Sequence, residues 1–187
     1  PAFWSERTVQ RPAAPFEALY VGRIEAEKGV DVLLDAWERA NVDGRLTLVG
    51  APQRAGSESI TFTGPRPPGD VRNFLGRAGV LVVPSIATRA FKEPWALVAN
   101  EAMHQHLPVI ATDAVGAAAG GLVRHERNGL VVPQRDPEAL AQAIARLAGD
   151  PELRARLGDN GARDVAAFTP EAWAAGMTEA IDRAVAA

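Results

Sequence analysis

The chain has no cysteine, so disulfides and thiolate metal sites are excluded and a reducing compartment is open to it. It has no excess of positive charge either. Twenty basic residues against 23 acidic ones leave a net charge of −3, which provides no electrostatic footprint for nucleic acid. An anionic ligand would have to be held by a few local cations and helix ends. No apolar run is long enough to span a bilayer, and no signal peptide is visible. A transmembrane segment is therefore not expected, and the cytoplasm is the expected location. Internal repeats and low-complexity blocks are absent. So is the initiator methionine: the chain starts at Pro1, as a piece trimmed from something longer would.

What is present is a core. Hydrophobic residues make up 47% of 187 positions, enough for one domain with terminal appendages. Residues 1–16, with Pro1, Pro12 and Pro15, read as an irregular linker or arm, and 17–187 as the domain. Strands are predicted at Glu17–Gly22, Arg45–Val49, Ser59–Thr63, Val80–Val83, Pro108–Ala111 and Leu130–Val132. Val80–Val83 is apolar throughout, as a strand covered on both faces would be. Helices are predicted at Gly29–Ala40, where Val30, Leu33, Leu34 and Trp37 have helical spacing, and at Val71–Ala78, capped by Asp70. Others follow at Trp95–His106, Pro137–Ala148, Pro151–Ala166 and Pro170–Val185. Strands alternating with helices specify an α/β fold, a Rossmann-like doubly wound parallel sheet. Gly-x-Gly-x-x-Gly is missing after the first strand, which disfavours a dinucleotide dehydrogenase.

Ligands on such sheets bind at the carboxyl ends of the strands, near the switch point. Arg23 follows the first strand and Lys28-Gly29 opens the next helix, so two cations flank a positive helix end. That arrangement suits phosphate; two surface charges on a solvated loop fit the spacing equally well. Glu93 and Glu101 bracket Pro94-Trp95-Ala96-Leu97-Val98-Ala99-Asn100. Pro94 suits a helix entrance. Glu101 then falls inside an apolar helix, where a charge is costly unless it meets a partner or ligand. His104 and His106, two positions apart on that helix, would point to nearly opposite sides and could not chelate together. His125 sits in a charged, solvated loop. Trp4, Trp37 and Trp173 read as packing anchors, with Trp95 beside the site.

Five segments in order now resemble one family. Val21-Gly22-Arg23-Ile24 with Lys28-Gly29-Val30-Asp31, Val82-Val83-Pro84-Ser85, Glu93-Pro94-Trp95-Ala96-Leu97-Val98-Ala99-Asn100-Glu101-Ala102-Met103, Pro108-Val109-Ile110-Ala111-Thr112 and Asn128-Gly129-Leu130-Val131-Val132 are similar to the motifs of glycosyltransferase family four. These are retaining enzymes of the GT-B fold. The resemblance implies the C-terminal, donor-binding domain of such an enzyme. It places Arg23 and Lys28 on the donor diphosphate, with Gly22 and the backbone N–H groups of Ala96, Leu97 and Val98 completing the cradle. Glu93 would meet the donor sugar, Glu101 the two ribose hydroxyls and Arg66 the nucleobase. Glu93, Arg23 and Lys28 are thus the catalytic candidates. Metal is not implied, and no Asp-x-Asp pair occurs. No cofactor is implied beyond the nucleotide-diphosphate-sugar substrate. The implied partner is an N-terminal acceptor-binding domain in the same chain or a second one, with any peripheral membrane contact made through that domain.

The chain also departs from the family. Its Gly-Gly-x-Pro-Glu loop reads here as Ala117-Ala118-Ala119-Gly120-Gly121, and Ala96 stands where a glycine is usual. The stretch between Gly50 and Ile60 is short by about one helix. Two alternatives stay open at this stage: a stand-alone nucleotide-sugar-binding module without chemistry, and half of a GT-B nucleotide-sugar epimerase.

Overall fold

The computed structural model describes residues 2–6, 9, 11–12, 15–50 and 55–185. Six strands, β1 (Phe16–Val21), β2 (Gly44–Val49), β3 (Ile60–Gly64), β4 (Val80–Val83), β5 (Val109–Thr112) and β6 (Gly129–Val132), form one parallel sheet in the order β3-β2-β1-β4-β5-β6. Consecutive crossovers run outward in one direction from β1 to β3, then return to start again at β4. The switch point therefore lies between β1 and β4, and the carboxyl ends of those strands open a crevice.

The helices are α1 (Ala2–Ser5), α2 (Val30–Ala40), α3 (Pro68–Arg77), α4 (Val98–His104), α5 (Gly116–Ala119), α6 (Pro137–Gly149), α7 (Pro151–Val165) and α8 (Pro170–Val185). Strand alternation sorts the core into two layers. Ala18, Tyr20, Leu46, Leu48, Val80 and Val82 face Leu33 and Trp37 of α2 and Leu140 and Ile144 of α6. Leu19, Leu81, Val83, Val109 and Ala111 face Leu75 of α3 and Ala99, Ala102 and Met103 of α4. All four residues of β4 are buried, as its unbroken apolar run requires. Asp136 and Asp150 cap α6 and α7 by accepting from Ala139 and Leu153 N–H at 2.9 and 2.8 Å, each followed by a proline at the first helical position.

Several expectations need correction. The helix α3 starts at Pro68, with Pro67 as its N-cap and no side-chain cap bond; Asp70 lies inside its first turn. The helix α4 starts at Val98, three residues later than Pro94 suggested, because Ala96 has φ +70° and turns the chain out of helical conformation. His106 lies beyond the end of α4, so the helical argument that set it opposite His104 does not apply. Both histidines border one hollow of about 370 Å³, with His104 near Ser5 and His106 bonded to Asp159 at 2.7 Å. Trp37 is a buried anchor, but Trp173 is 68% exposed, and α8 buries none of its residues. Ala2–Ser5, within the stretch read as irregular, forms a helical turn beside α4. Residues 51–54 of the short Gly50–Ile60 connection lie outside the described residues. Among the described residues, no helix is long and apolar enough to cross a membrane.

Candidate functional site

The crevice at the switch point is built by two straps. Gly29 has φ +67°, a left-handed conformation that glycine adopts without cost, and a Cβ there would come within 2.0 Å of the Pro84 carbonyl oxygen. This close approach lets the N–H of Ile86 donate to the Glu27 carbonyl at 2.9 Å. The short 3₁₀ turn Ala26–Lys28 after β1 is thereby tied to the residues after β4, and Lys28 and Ser85 reach the same Glu93 oxygen. The second strap comes from the start of α5. The N–H groups of Gly116 and Ala117 donate to the carbonyls of Glu93 and Trp95 at 2.9 and 3.0 Å. They hold the Glu93–Trp95 segment in place, with Glu93 at the same cavity.

Between the straps lies a cavity of about 200 Å³ bordered by Tyr20, Gly22, Lys28, Ser85, Glu93 and Ala96–Val98. Lys28 and Glu93 form an ion pair in it, with Glu93 only 8% exposed. Ser85 Oγ donates to Glu93 Oε2 at 3.1 Å, and the Thr112 hydroxyl donates to the Ser85 carbonyl. The Lys28 ammonium also lies 5.1 Å from the centre of the Phe91 ring. The Tyr20 hydroxyl donates to the Arg23 carbonyl; burial, with Glu93 and Glu25 nearby, pushes it well above the usual phenol range. A Cβ at Gly22 would sit 2.8 Å from that hydroxyl, so the position accepts no side chain without movement. Among the described residues, the N–H groups of Ala96, Leu97 and Val98 have no recorded acceptor.

Six of the sequence candidates thus meet at this cavity: Gly22, Lys28, Glu93, Ala96, Leu97 and Val98. Arg23 stands at its rim, exposed, in an ion pair with Glu25. Glu101 is one turn into α4 beyond Leu97 and Val98. It is half-buried, and among the described residues no hydrogen bond or ion pair reaches its carboxylate. Burial pushes that carboxyl up from its ordinary range. Arg66 follows β3 at the edge of the sheet, two strands or about 10 Å from β1. Ser85 and Tyr20 were not singled out from the sequence. The signal for Ser85 was its place two residues after β4, at the switch point; Tyr20, the chain's single tyrosine, gave none. Trp95 is held by its Nε1 donating to Asn100 Oδ1 at 2.7 Å and by tilted packing on Phe168. Among the described residues there is no group of three or more His, Asp or Glu placed to hold a metal ion.

A doubly wound sheet of order 3-2-1-4-5-6 with a charged crevice at its switch point defines a Rossmann-like α/β domain. The family of glycosyl transferases group 1 matches residues 5–164, and the chain belongs to that family, corresponding to the C-terminal domain of the GT-B fold. It is 31% identical to the D-inositol 3-phosphate glycosyltransferase of Corynebacterium glutamicum over 97% of this chain and 47% of that protein. Sucrose-phosphate synthase from Thermosynechococcus elongatus superposes with a TM-score of 0.76 at 35% identity, covering 94% of this chain and 47% of that one. Anabaena HepE, solved in complex with UDP-glucose, shares the fold with a TM-score of 0.70 at 23% identity, over 82% of this chain and 44% of its own. The chain spans about half the length of the curated relatives it matches.

Proposed function

We propose that this chain is the donor-binding half of a retaining, metal-independent glycosyltransferase. It would take a nucleotide-diphosphate sugar and, with an acceptor-binding domain in the same or a partner chain, pass the sugar on. The observation that carries this reading is the Lys28–Glu93 pair buried in the switch-point crevice beside three backbone N–H groups that, among the described residues, have no acceptor. A cation and N–H donors suit a diphosphate; a carboxylate suits hydroxyls. Lys28, and Arg23 swinging from the rim, would stabilise the charge that grows on the diphosphate as the glycosidic bond breaks. The Glu101 carboxylate, which no hydrogen bond or ion pair reaches among the described residues, would accept from the ribose, and Arg66 would approach the base. The family membership supports sugar transfer, and the UDP-glucose held by HepE makes uridine nucleotides the first donors to try.

The test is thermal stabilisation of the chain by nucleoside diphosphates and by pyrophosphate, all with a chelator present. A nucleoside diphosphate should raise the melting temperature, and Lys28→Ala should remove most of the rise, since charge-assisted bonds to phosphate are worth about 1.5–3 kcal/mol each. Glu101→Ala should weaken nucleotides but leave pyrophosphate binding intact. Stabilisation that requires a divalent metal would overturn metal independence, and no stabilisation by any diphosphate would overturn the site.

A further inference from the structure

The Lys28–Glu93 pair places a cost on any phosphate ligand. The ammonium that would hold the diphosphate is already engaged, and its partner is an anion buried beside the same cavity. We propose that Glu93 makes the site select sugar-loaded nucleotide over bare nucleotide: it holds Lys28 in the empty crevice and yields it to the diphosphate when sugar hydroxyls take over the carboxylate. This inference rests on the donor-site reading above and adds a specificity to it.

The geometry has three parts. First, the hydrogen bonds of the carboxylate converge on one oxygen. Lys28 Nζ and Ser85 Oγ both go to Oε2, and among the described residues none goes to Oε1. One oxygen therefore remains to accept from a ligand hydroxyl. Second, Glu93 cannot easily retreat. Gly116 holds its carbonyl at 2.9 Å, and the Ser85 hydroxyl that grips its side chain belongs to a residue anchored by Thr112. Third, Lys28 can turn without leaving the cavity, because its long unbranched stem lets the ammonium rotate and that head already rests near the Phe91 ring.

A bare diphosphate brings negative charge against a fixed carboxylate and offers it no proton. A nucleotide sugar brings the same phosphates together with hydroxyl donors for Oε1 and Oε2. The like-charge cost is then offset for the donor and not for the nucleotide left after transfer. The same carboxylate that receives the sugar thus favours expulsion of the spent nucleotide.

Calorimetric titration of the chain in chelator tests this with pyrophosphate, UDP, GDP and the matching nucleotide sugars UDP-glucose, UDP-galactose, UDP-N-acetylglucosamine and GDP-mannose. In the unaltered chain the preferred nucleotide sugar should bind about tenfold or more tightly than its own diphosphate. Glu93→Gln, which keeps shape and removes charge, should tighten pyrophosphate and nucleoside diphosphate about tenfold and abolish the sugar preference. Pyrophosphate affinity unchanged or weakened in Glu93→Gln would overturn the inference, and so would equal affinity of every nucleotide sugar and its diphosphate in the unaltered chain, a comparison that needs no variant. Failure of the underlying site looks different: pyrophosphate and both diphosphates would then fail to bind the unaltered chain, or would bind Lys28→Met just as well.

Discussion

The amide of Gly116 donates to the carbonyl of Glu93 at 2.9 Å, and the contact leaves no room for a side chain on Gly116. A Cβ there would lie 1.8 Å from the Pro94 carbonyl oxygen and 2.9 Å from the Trp95 amide. Both obstacles are backbone, so the strap itself must move. Gly116→Ala is expected to cost about 2 kcal/mol in urea denaturation, within the range for forced overpacking. Gly176→Ala is the control. It lies in α8 with open space around it and should stabilise by about 0.5–1 kcal/mol. Equal responses would show that the strap has slack.

Ala96 has φ +70°, where an L-residue with a Cβ is strained by about 1–2 kcal/mol. Ala96→Gly relieves that strain and gives back part of it through a more flexible unfolded chain. The expected net change is a gain of up to about 1 kcal/mol. Ala180→Gly, on the exposed face of α8, should instead cost about 1 kcal/mol. Chemical denaturation of the two variants side by side decides it. A loss at Ala96 equal to that at Ala180 would mean the left-handed turn costs nothing.

These two positions mark where sequence reasoning stopped. The six strands and the order of the helices were legible because each rests on local pattern, the apolar runs and alternation of strands and the 3.6 period of helices, whereas Gly29, read as the first residue of a helix, is its left-handed cap. The start of α4 was not. Pro94 gives a valid local signal for helix entry, but Gly116 and Ala117 take the carbonyls of Glu93 and Trp95, and that competition is set by residues more than twenty positions away. Lys28 and Glu93 could be named as candidates, yet their pairing needed the crossing of two straps. Ser85 needed the strand order. Trp173 reads as an anchor from its size alone, while its exposure depends on what packs over α8.

Glu101 carries a pH dependence of determined sign. Burial raises its carboxyl pKa in the folded chain above the unfolded value, so folding favours the protonated form. Its contribution is fully present below the ordinary glutamate value of about 4.3 and is lost as pH rises through the folded value. Near pH 7.5 the ionised side chain is therefore a burden that Glu101→Gln removes. The variant should melt above the parent near pH 7.5, and the two should converge near pH 3.5. A gap that persists in acid would mean that ionisation is not the cause.

Lys28 and Arg23 should part company in stability as well as in binding. The Lys28 side chain is 18% exposed and its partner 10%; the Arg23 side chain is 69% exposed. Removing one member of a buried pair strands the other, at a cost of about 3 kcal/mol or more. An exposed pair is screened and contributes little. Lys28→Ala should thus lower the denaturation midpoint clearly, while Arg23→Ala leaves it in place. If Arg23 reaches ligand phosphate from the rim, Arg23→Ala should still weaken pyrophosphate, and the difference from the parent should fade in high salt. A salt-independent difference would place Arg23 deeper in the site than it stands here.

Sugar transfer needs donor and acceptor held in near-attack geometry, and that positioning supplies several kcal/mol of the barrier. The candidate residues all belong to the proposed donor site. The chain by itself is therefore expected to bind nucleotide sugar with at most slow hydrolysis, and transfer should appear when an acceptor-binding domain is joined to it or added in trans. In the assembled enzyme, Glu93→Gln should separate binding from turnover. It loses hydroxyl contacts to the sugar but gains in phosphate binding, so donor affinity should change little. Turnover should fall about a hundredfold, because a contact aimed at the reacting sugar is lost where charge is developing. Single-turnover transfer measured beside equilibrium donor binding separates the two quantities. A turnover equal to the parent's would remove Glu93 from the reaction, and an unchanged turnover with weakened donor affinity would assign it to ground-state binding alone.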